Sequence, residues 1–109
     1  LSLKRQWYDM ISSGEKKEEY REIKPYWITR INNWSRDITG DYRVTDDYFM
    51  ERMQRGDVEY CTAVFQNGYG KDAPKFECDL RIHIGTGHPE WGAEPGKEYF
   101  VLEIEEIRQ

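Results

Sequence analysis

The sequence has little cysteine, no long apolar run and no leader-like segment. Its two cysteines, Cys61 and Cys78, lack the close spacing of a metal or redox motif, and a single pair is no disulfide framework. The longest apolar runs, such as 99–102, fall far short of the ~20 residues that cross a bilayer. The opening residues LSLKRQWYDM contain no signal-type apolar stretch, although the start at Leu1 instead of Met leaves room for an upstream segment. These absences predict free thiols, a cytoplasmic location and no membrane partner.

The sequence also lacks the common signatures of cofactor-dependent and metal-dependent enzymes. It has no phosphate-binding loop and no Gly-x-Gly-x-x-Gly motif. Its two histidines, His83 and His88, do not have the helical or Cys/His spacing of a zinc site. Ser12, Ser13 and Cys78 have no recognisable catalytic partners in the sequence. We therefore expect no cofactor and no metal.

The charges that are present are unevenly distributed. The 109 residues carry a net charge of −5, but residues 1–36 hold eight Lys or Arg against five Asp or Glu. This local excess predicts that the N-terminal third attracts phosphate while the remainder repels it, which favours a small or localised anionic ligand. A solvated charged surface is the alternative interpretation. The length indicates one domain, covering residues 1–109.

Apolar spacing and turn residues predict mixed elements in the N-terminal half. Trp7, Met10 and Ile11 follow helical i, i+3, i+4 spacing, and Gly14 is the expected helix stop. Pro25 suits the first turn of a second helix. The expected elements are a strand over 1–4, a helix over 5–13, a strand with two polar faces over 18–23, a helix from residue 25, a polar loop over 35–47 and a short helix over 48–55.

The C-terminal half has the period-two alternation of a sheet. In residues 75–84 the apolar side chains alternate strictly with polar ones, which predicts a strand with one buried face. The turn NGYGKDAP joins it to an earlier strand over 58–66, and a last strand is expected over 98–107. The predicted fold class is therefore α+β: a small mixed β-barrel of about five strands flanked by two or three helices.

One polar motif stands where the first helix ends and a strand begins. The segment GEKKEEYR supplies Gly14, Lys16, Glu19 and Arg21 in the pattern Gly-x-Lys-x-x-Glu-x-Arg. Arg21 offers a planar donor fork for phosphate or a base edge, and Lys16 offers a compact cation. Glu19 and Arg21 share one face of the strand, and Lys16 joins them only if the chain bends at the helix exit. An exposed salt bridge worth ~0–1 kcal/mol is the alternative interpretation.

This motif and its surroundings resemble a known family. The stretch LSLKRQWYDMISSGEKKEEYR resembles the start of ASCH domains, the PUA-like β-barrel family marked by the Gly-x-Lys-x-x-Glu-x-Arg pattern. The stretches FQNGYGKDAP and HPEWGAEPGKEYFVLEI look like the small stand-alone ASCH proteins of bacteria and phages. The resemblance implies a PUA-like barrel whose cleft binds RNA. One branch of the family removes acyl groups from acetylcytidine; it has Thr where this chain has Glu19, while its Lys corresponds to Lys16.

Three further side chains are candidate ligand contacts. Lys4 and Trp7 flank the same cleft by resemblance, and Trp7 could stack a base, although its helical stripe favours core packing. Tyr69 lies on a hairpin tip where a ligand could reach it or where it is incidental. Trp91 in PEWG is expected to lock the long connection against the barrel.

Together these observations predict binding of RNA or a nucleotide in a cationic cleft. The predicted ligand-binding residues are Lys4, Trp7, Lys16, Glu19, Arg21 and Tyr69. One alternative is a hydrolase of an N-acylated nucleoside, with Lys16 as base and Glu19 handling a proton or water. The other is a protein-interaction module that uses the aromatic residues around Tyr48 or Trp91.

Overall fold

The structure, a computed structural model, describes residues 1–108, which form three α-helices and five β-strands. No helix in this range has the length and apolar character needed to span a membrane. A single 3₁₀ turn, Pro89–Trp91, interrupts the connection before the last strand. In chain order the elements are β1 (Ser2–Leu3), α1 (Arg5–Ser12), β2 (Glu18–Arg21), α2 (Pro25–Thr39), α3 (Asp46–Gln54), β3 (Glu59–Asn67), β4 (Lys75–Thr86) and β5 (Glu98–Arg108).

The five strands form one sheet that curls into half a barrel. Its order is β1-β3-β4-β5-β2, with β1 parallel to β3 and the other neighbours antiparallel. The predicted α+β fold, a small mixed barrel flanked by helices, is therefore confirmed. Because β1 and β2 are the two edges of the sheet, the curl leaves an open seam between them.

The hydrophobic core lies on the apolar face of β4, where every second side chain is buried. Phe76, Cys78, Leu80 and Ile82 are each no more than 2% exposed, as the period-two pattern predicts. They pack with side chains of β3, β5 and the three helices in one cluster. Such a sheet needs one covered face, and here the helices supply the cover.

The start of β5 is buried on both faces. Phe100 and Leu102 belong to the main core, whereas Tyr99 and Val101 form a second cluster with Tyr20 of β2 and with Ala93. The connection between β4 and β5 folds across this second face, and Trp91 packs against the cluster. The expectation that Trp91 fixes this connection agrees with that contact.

Two predicted boundaries in the helical half are wrong. The predicted loop over 35–47 is shorter, covering residues 40–45: α2 continues to Thr39 and ends at Gly40, whose φ of 74° suits glycine. The third helix begins at Asp46, with the Thr45 side chain accepting a hydrogen bond from the Tyr48 amide at 3.1 Å. Polar residues in 35–39 suggested a loop because this last part of α2 is mostly exposed.

The strand β2 also differs from its prediction. It ends at Arg21 and is not polar on two solvated faces, because Glu19 and Tyr20 are 5% and 8% exposed. A buried carboxylate needs partners to offset its lost hydration, and the motif residues around Glu19 supply them.

The two thiols are expected to be unreactive in the folded protein. Cys61 and Cys78 lie on adjacent strands, are buried, and form no disulfide. Burial raises the pKa of each thiol to about 12, so almost no thiolate exists near neutral pH. A thiol-exchange reagent at about pH 8 should label neither cysteine in native protein and both in guanidinium. Rapid labelling of native protein would contradict this packing.

Candidate functional site

The open seam of the sheet holds a cleft of about 1200 Å³. Its walls come from β1, the start of α1, β2, the first turns of α2, the hairpin tip after β3 and the connection before β5. We refer to it as the edge cleft, because it lies between the two edge strands. Its lining comprises residues 1–5, Trp7, 19–22, Tyr26, Trp27, Arg30, 66–69, Trp91, Gly92, Glu94, Lys97 and Tyr99.

The chain bends after α1 in the way that the motif requires. Gly14 has a φ of 85°, a left-handed conformation that glycine adopts without strain. The Lys16 amide then donates to the Met10 carbonyl at 2.9 Å, which folds the chain back under the helix. As a result Lys16 and Glu19 meet although their sequence offset would place them on opposite faces of a straight strand.

Lys16 is a buried cation. Its Nζ donates to Glu19 Oε1 at 3.1 Å and to the Trp91 carbonyl at 2.6 Å, and its side chain is 0% exposed. The ammonium lies 4.6 Å from the centre of the Trp7 ring and 5.2 Å from that of Tyr20. Burial lowers the pKa of Lys16, and the Glu19 carboxylate opposes that shift. Lys16 therefore stands behind the wall of the edge cleft and is not part of its lining.

Glu19 and Arg21 reach the edge cleft itself. Glu19 Oε1 is occupied by Lys16 and by the Tyr20 amide at 3.1 Å, while Oε2 lies 3.4 Å from the Arg21 guanidinium. Arg21 also donates to the Tyr20 carbonyl at 2.8 Å and, more weakly, to the Ser2 carbonyl at 3.5 Å. The Ser2 and Tyr20 carbonyls belong to β1 and β2, so Arg21 links the two edges of the sheet.

The edge cleft is richer in cations than in carboxylates. Five Lys or Arg residues line it against three Glu residues, although the whole chain carries a net charge of −5. A concave surface concentrates the electric field of such a local excess of positive charge. The cations are Lys4, Arg5, Arg21, Arg30 and Lys97, and the acids are Glu19, Glu22 and Glu94.

Aromatic rings stand among these charges. Trp7 lies outside both hydrophobic clusters of residues 1–108; its ring packs on Lys16 and on the backbone of Gly92, where an added Cβ would come within 3.2 Å of it. Tyr69 is 91% exposed at the rim. The other aromatic residues of the lining are Tyr20, Tyr26, Trp27, Trp91 and Tyr99.

The structure brings together five of the six predicted ligand residues. Lys4, Trp7, Glu19, Arg21 and Tyr69 line the edge cleft, and Lys16 supports it from behind. The two aromatic residues predicted as alternatives for protein interaction differ in location. Tyr48 is exposed on α3 and does not line the cleft, whereas Trp91 does.

Sequence reasoning missed the contribution of α2. Tyr26, Trp27 and Arg30 line the edge cleft. The four-residue spacing of Tyr26 and Arg30 places them on one helical face, and the sequence shows that much. Nothing in the sequence shows that this face meets the seam between β1 and β2.

Comparisons with family models, with curated proteins and with solved structures give no match for this chain. Within residues 1–108, no group of three or more His, Cys, Asp or Glu side chains is placed to hold a metal ion. We therefore infer the function from the geometry and chemistry of the edge cleft.

Proposed function

We propose that the protein is an ASCH-type, PUA-like domain that binds RNA or a nucleotide in the edge cleft. The observation that carries this proposal is the combination, in one concave site, of a cationic excess with several aromatic rings. Phosphate groups favour Arg and Lys, and bases stack on aromatic side chains. A ligand that is both anionic and aromatic matches both components.

Each part of the motif then has a separate task. Arg21 presents donors to a phosphate or a base edge. Glu19 Oε2, whose one polar contact within residues 1–108 is that with Arg21 at 3.4 Å, accepts a hydrogen bond from a base amino or imino group. Lys16 neutralises and orients Glu19 from behind and supports the Trp7 ring, so its contribution is positioning.

Arg21→Ala is expected to weaken binding of a single-stranded RNA by at least about tenfold, since a lost hydrogen bond to a charged group costs ~1.5 kcal/mol or more. Fluorescence anisotropy of a labelled RNA at two salt concentrations measures this loss. The slope of log K against log salt concentration should become shallower by about one, because one cationic contact is removed.

Arg43→Ala is the matched control for Arg21→Ala. Arg43 is 92% exposed, pairs with Asp41, and does not line the edge cleft, so its loss changes the net charge equally without touching the site. Urea unfolding confirms that both variants are folded. Equal RNA affinities for the Arg21 and Arg43 variants would place the binding site elsewhere.

The buried Lys16–Glu19 pair supports a second candidate, a hydrolase of an N-acylated nucleoside. Burial lowers the pKa of Lys16, which brings it closer to the range of a working base. Catalysis would require the Trp7 and Trp91 wall to open, because Lys16 does not line the cleft. Incubation with N-acetylcytidine, followed by chromatography, tests it: absence of deacylated cytidine removes this candidate.

A further inference from the structure

The cations of the edge cleft divide into paired and unpaired groups. Arg5, Arg21 and Lys97 each lie within 3.4 to 3.7 Å of a carboxylate. Lys4 and Arg30 have no carboxylate at salt-bridge distance among residues 1–108, although both line the cleft. A paired cation is already partly neutralised, so the unpaired ones carry most of the attraction for an incoming phosphate.

Arg30 is held in place without losing its donors. Its guanidinium carbon lies 5.3 Å from the centre of the Trp27 ring and 6.0 Å from that of Trp34. One N–H donates to the Tyr26 hydroxyl at 3.0 Å. A guanidinium has five N–H donors, so most of them stay available. The two rings and the Tyr26 hydroxyl restrict the guanidinium in advance, which reduces the entropy lost when it binds a phosphate.

Arg30 also stands where the edge cleft meets the exposed outer surface of α2. This open, shallow surface is formed by side chains of the one helix, Pro25, Tyr26, Thr29, Arg30 and Asn33. Tyr26 and Arg30 belong both to it and to the edge cleft. Tyr26 is 59% exposed and offers a stacking surface beside the guanidinium. The edge cleft alone exceeds the ~300–1,000 Å³ usual for a small-molecule site.

We propose that Arg30 binds a phosphodiester group of a single-stranded RNA that runs from the edge cleft across the first turns of α2, with Lys4 adding to the positive charge of the cleft. One base occupies the cleft beside Glu19, and the next stacks on Tyr26. This inference rests on the proposed RNA-binding function. It selects an RNA strand over a free nucleotide, because a strand reaches from the edge cleft onto the outer surface of α2 and places a phosphate at the residues the two share, whereas a mononucleotide does not span both.

Arg30→Gln tests the proposal, with Arg43→Gln as a control of equal charge outside the cleft. The probes are a fluorescein-labelled single-stranded RNA of about eight nucleotides, within the usual range of site sizes, and uridine monophosphate and uridine as competitors. Arg30→Gln should weaken RNA binding at least tenfold relative to Arg43→Gln. The slope of log K against log salt concentration should become shallower by about one. The inhibition constant of uridine should stay within about twofold of its value in Arg43→Gln. Tyr26→Ala should weaken RNA binding by a larger factor than uridine monophosphate binding, because the second base of the strand stacks on Tyr26.

The outcomes separate this inference from the proposed function. If RNA binding is lost in Arg21→Ala but unchanged in Arg30→Gln, the subsite is wrong while the cleft assignment stands. If wild-type protein binds uridine monophosphate as tightly as the RNA, the phosphate belongs to a free nucleotide and the strand is wrong. If wild-type protein binds none of the probes, the proposed function itself fails. Arg30→Lys, which keeps the charge, should retain the salt dependence, and urea unfolding of Arg30→Gln confirms that its loss of binding is not caused by unfolding.

Discussion

Replacement of Lys16 by methionine is expected to lower the free energy of unfolding by about 3 kcal/mol, toward the lower end of the ~3–5 kcal/mol lost when one partner of a buried ion pair is removed. Methionine resembles the lysine stem but cannot donate to Glu19 Oε1 or to the Trp91 carbonyl, 3.1 and 2.6 Å from Nζ. Glu19 keeps the Tyr20 amide at 3.1 Å and Arg21 at 3.4 Å, which limits the loss. Urea unfolding followed by tryptophan fluorescence measures it.

Two further variants isolate the charge effect. In Lys16→Met/Glu19→Gln both charges are absent, so this double variant should be more stable than Lys16→Met alone. Lys17→Met, at the exposed neighbouring position, should stay within about 0.5 kcal/mol of wild type. A loss in Lys16→Met no greater than in Lys17→Met would show that the buried pair does not stabilise the site.

Gly87→Ala is expected to cost toward the upper part of the ~1–3 kcal/mol typical of an overpacked interior. An added Cβ would lie 2.5 Å from two ring carbons of Tyr20 and 2.7 Å from the Ala93 Cβ. The Tyr20 ring cannot easily move aside, because its hydroxyl donates to Glu18 and accepts from the His88 amide, both at 2.8 Å. Thermal unfolding reports the loss, and RNA affinity should fall too, since the shifted connection carries Trp91.

Gly85→Ala is the control for this substitution. Its Cβ would meet the edge of the His83 ring at 3.2 Å and a Val101 methyl at 3.9 Å, contacts that a small side-chain movement relieves. Gly85→Ala should therefore be markedly more stable than Gly87→Ala. Equal stabilities would contradict the close packing of the β4–β5 connection on Tyr20.

The sheet could be predicted where one face is buried and the other solvated. Strand β4 shows this alternation from Phe76 to Ile82, and its burial follows the pattern. The pattern is less informative at the start of β5, where Tyr99 and Val101 are buried by a distant connection. Periodicity along one strand cannot show what another segment places on its second face.

The motif could be predicted as a unit but not as a buried one. Lys16 and Glu19 are residue types that are almost never fully buried unless they are paired. The sequence shows their spacing, but their pairing depends on the bend at Gly14 and on the Trp91 carbonyl, which is 75 residues further along the chain. The contribution of α2 was missed for a similar reason, since Tyr26 and Arg30 become part of the site only through packing.

The most direct test of the edge cleft uses its tryptophans as reporters. Of the four tryptophans, Trp7, Trp27 and Trp91 line the cleft, whereas Trp34 packs on the hydrophobic core and does not line it. Their indole N–H signals can be followed by ¹H–¹⁵N NMR while single-stranded RNA is added. We expect the three cleft signals to shift with a common affinity and the Trp34 signal to move least. Binding of RNA with the largest shift at Trp34, or with no shift at the other three, would contradict the assignment of the cleft as the binding site.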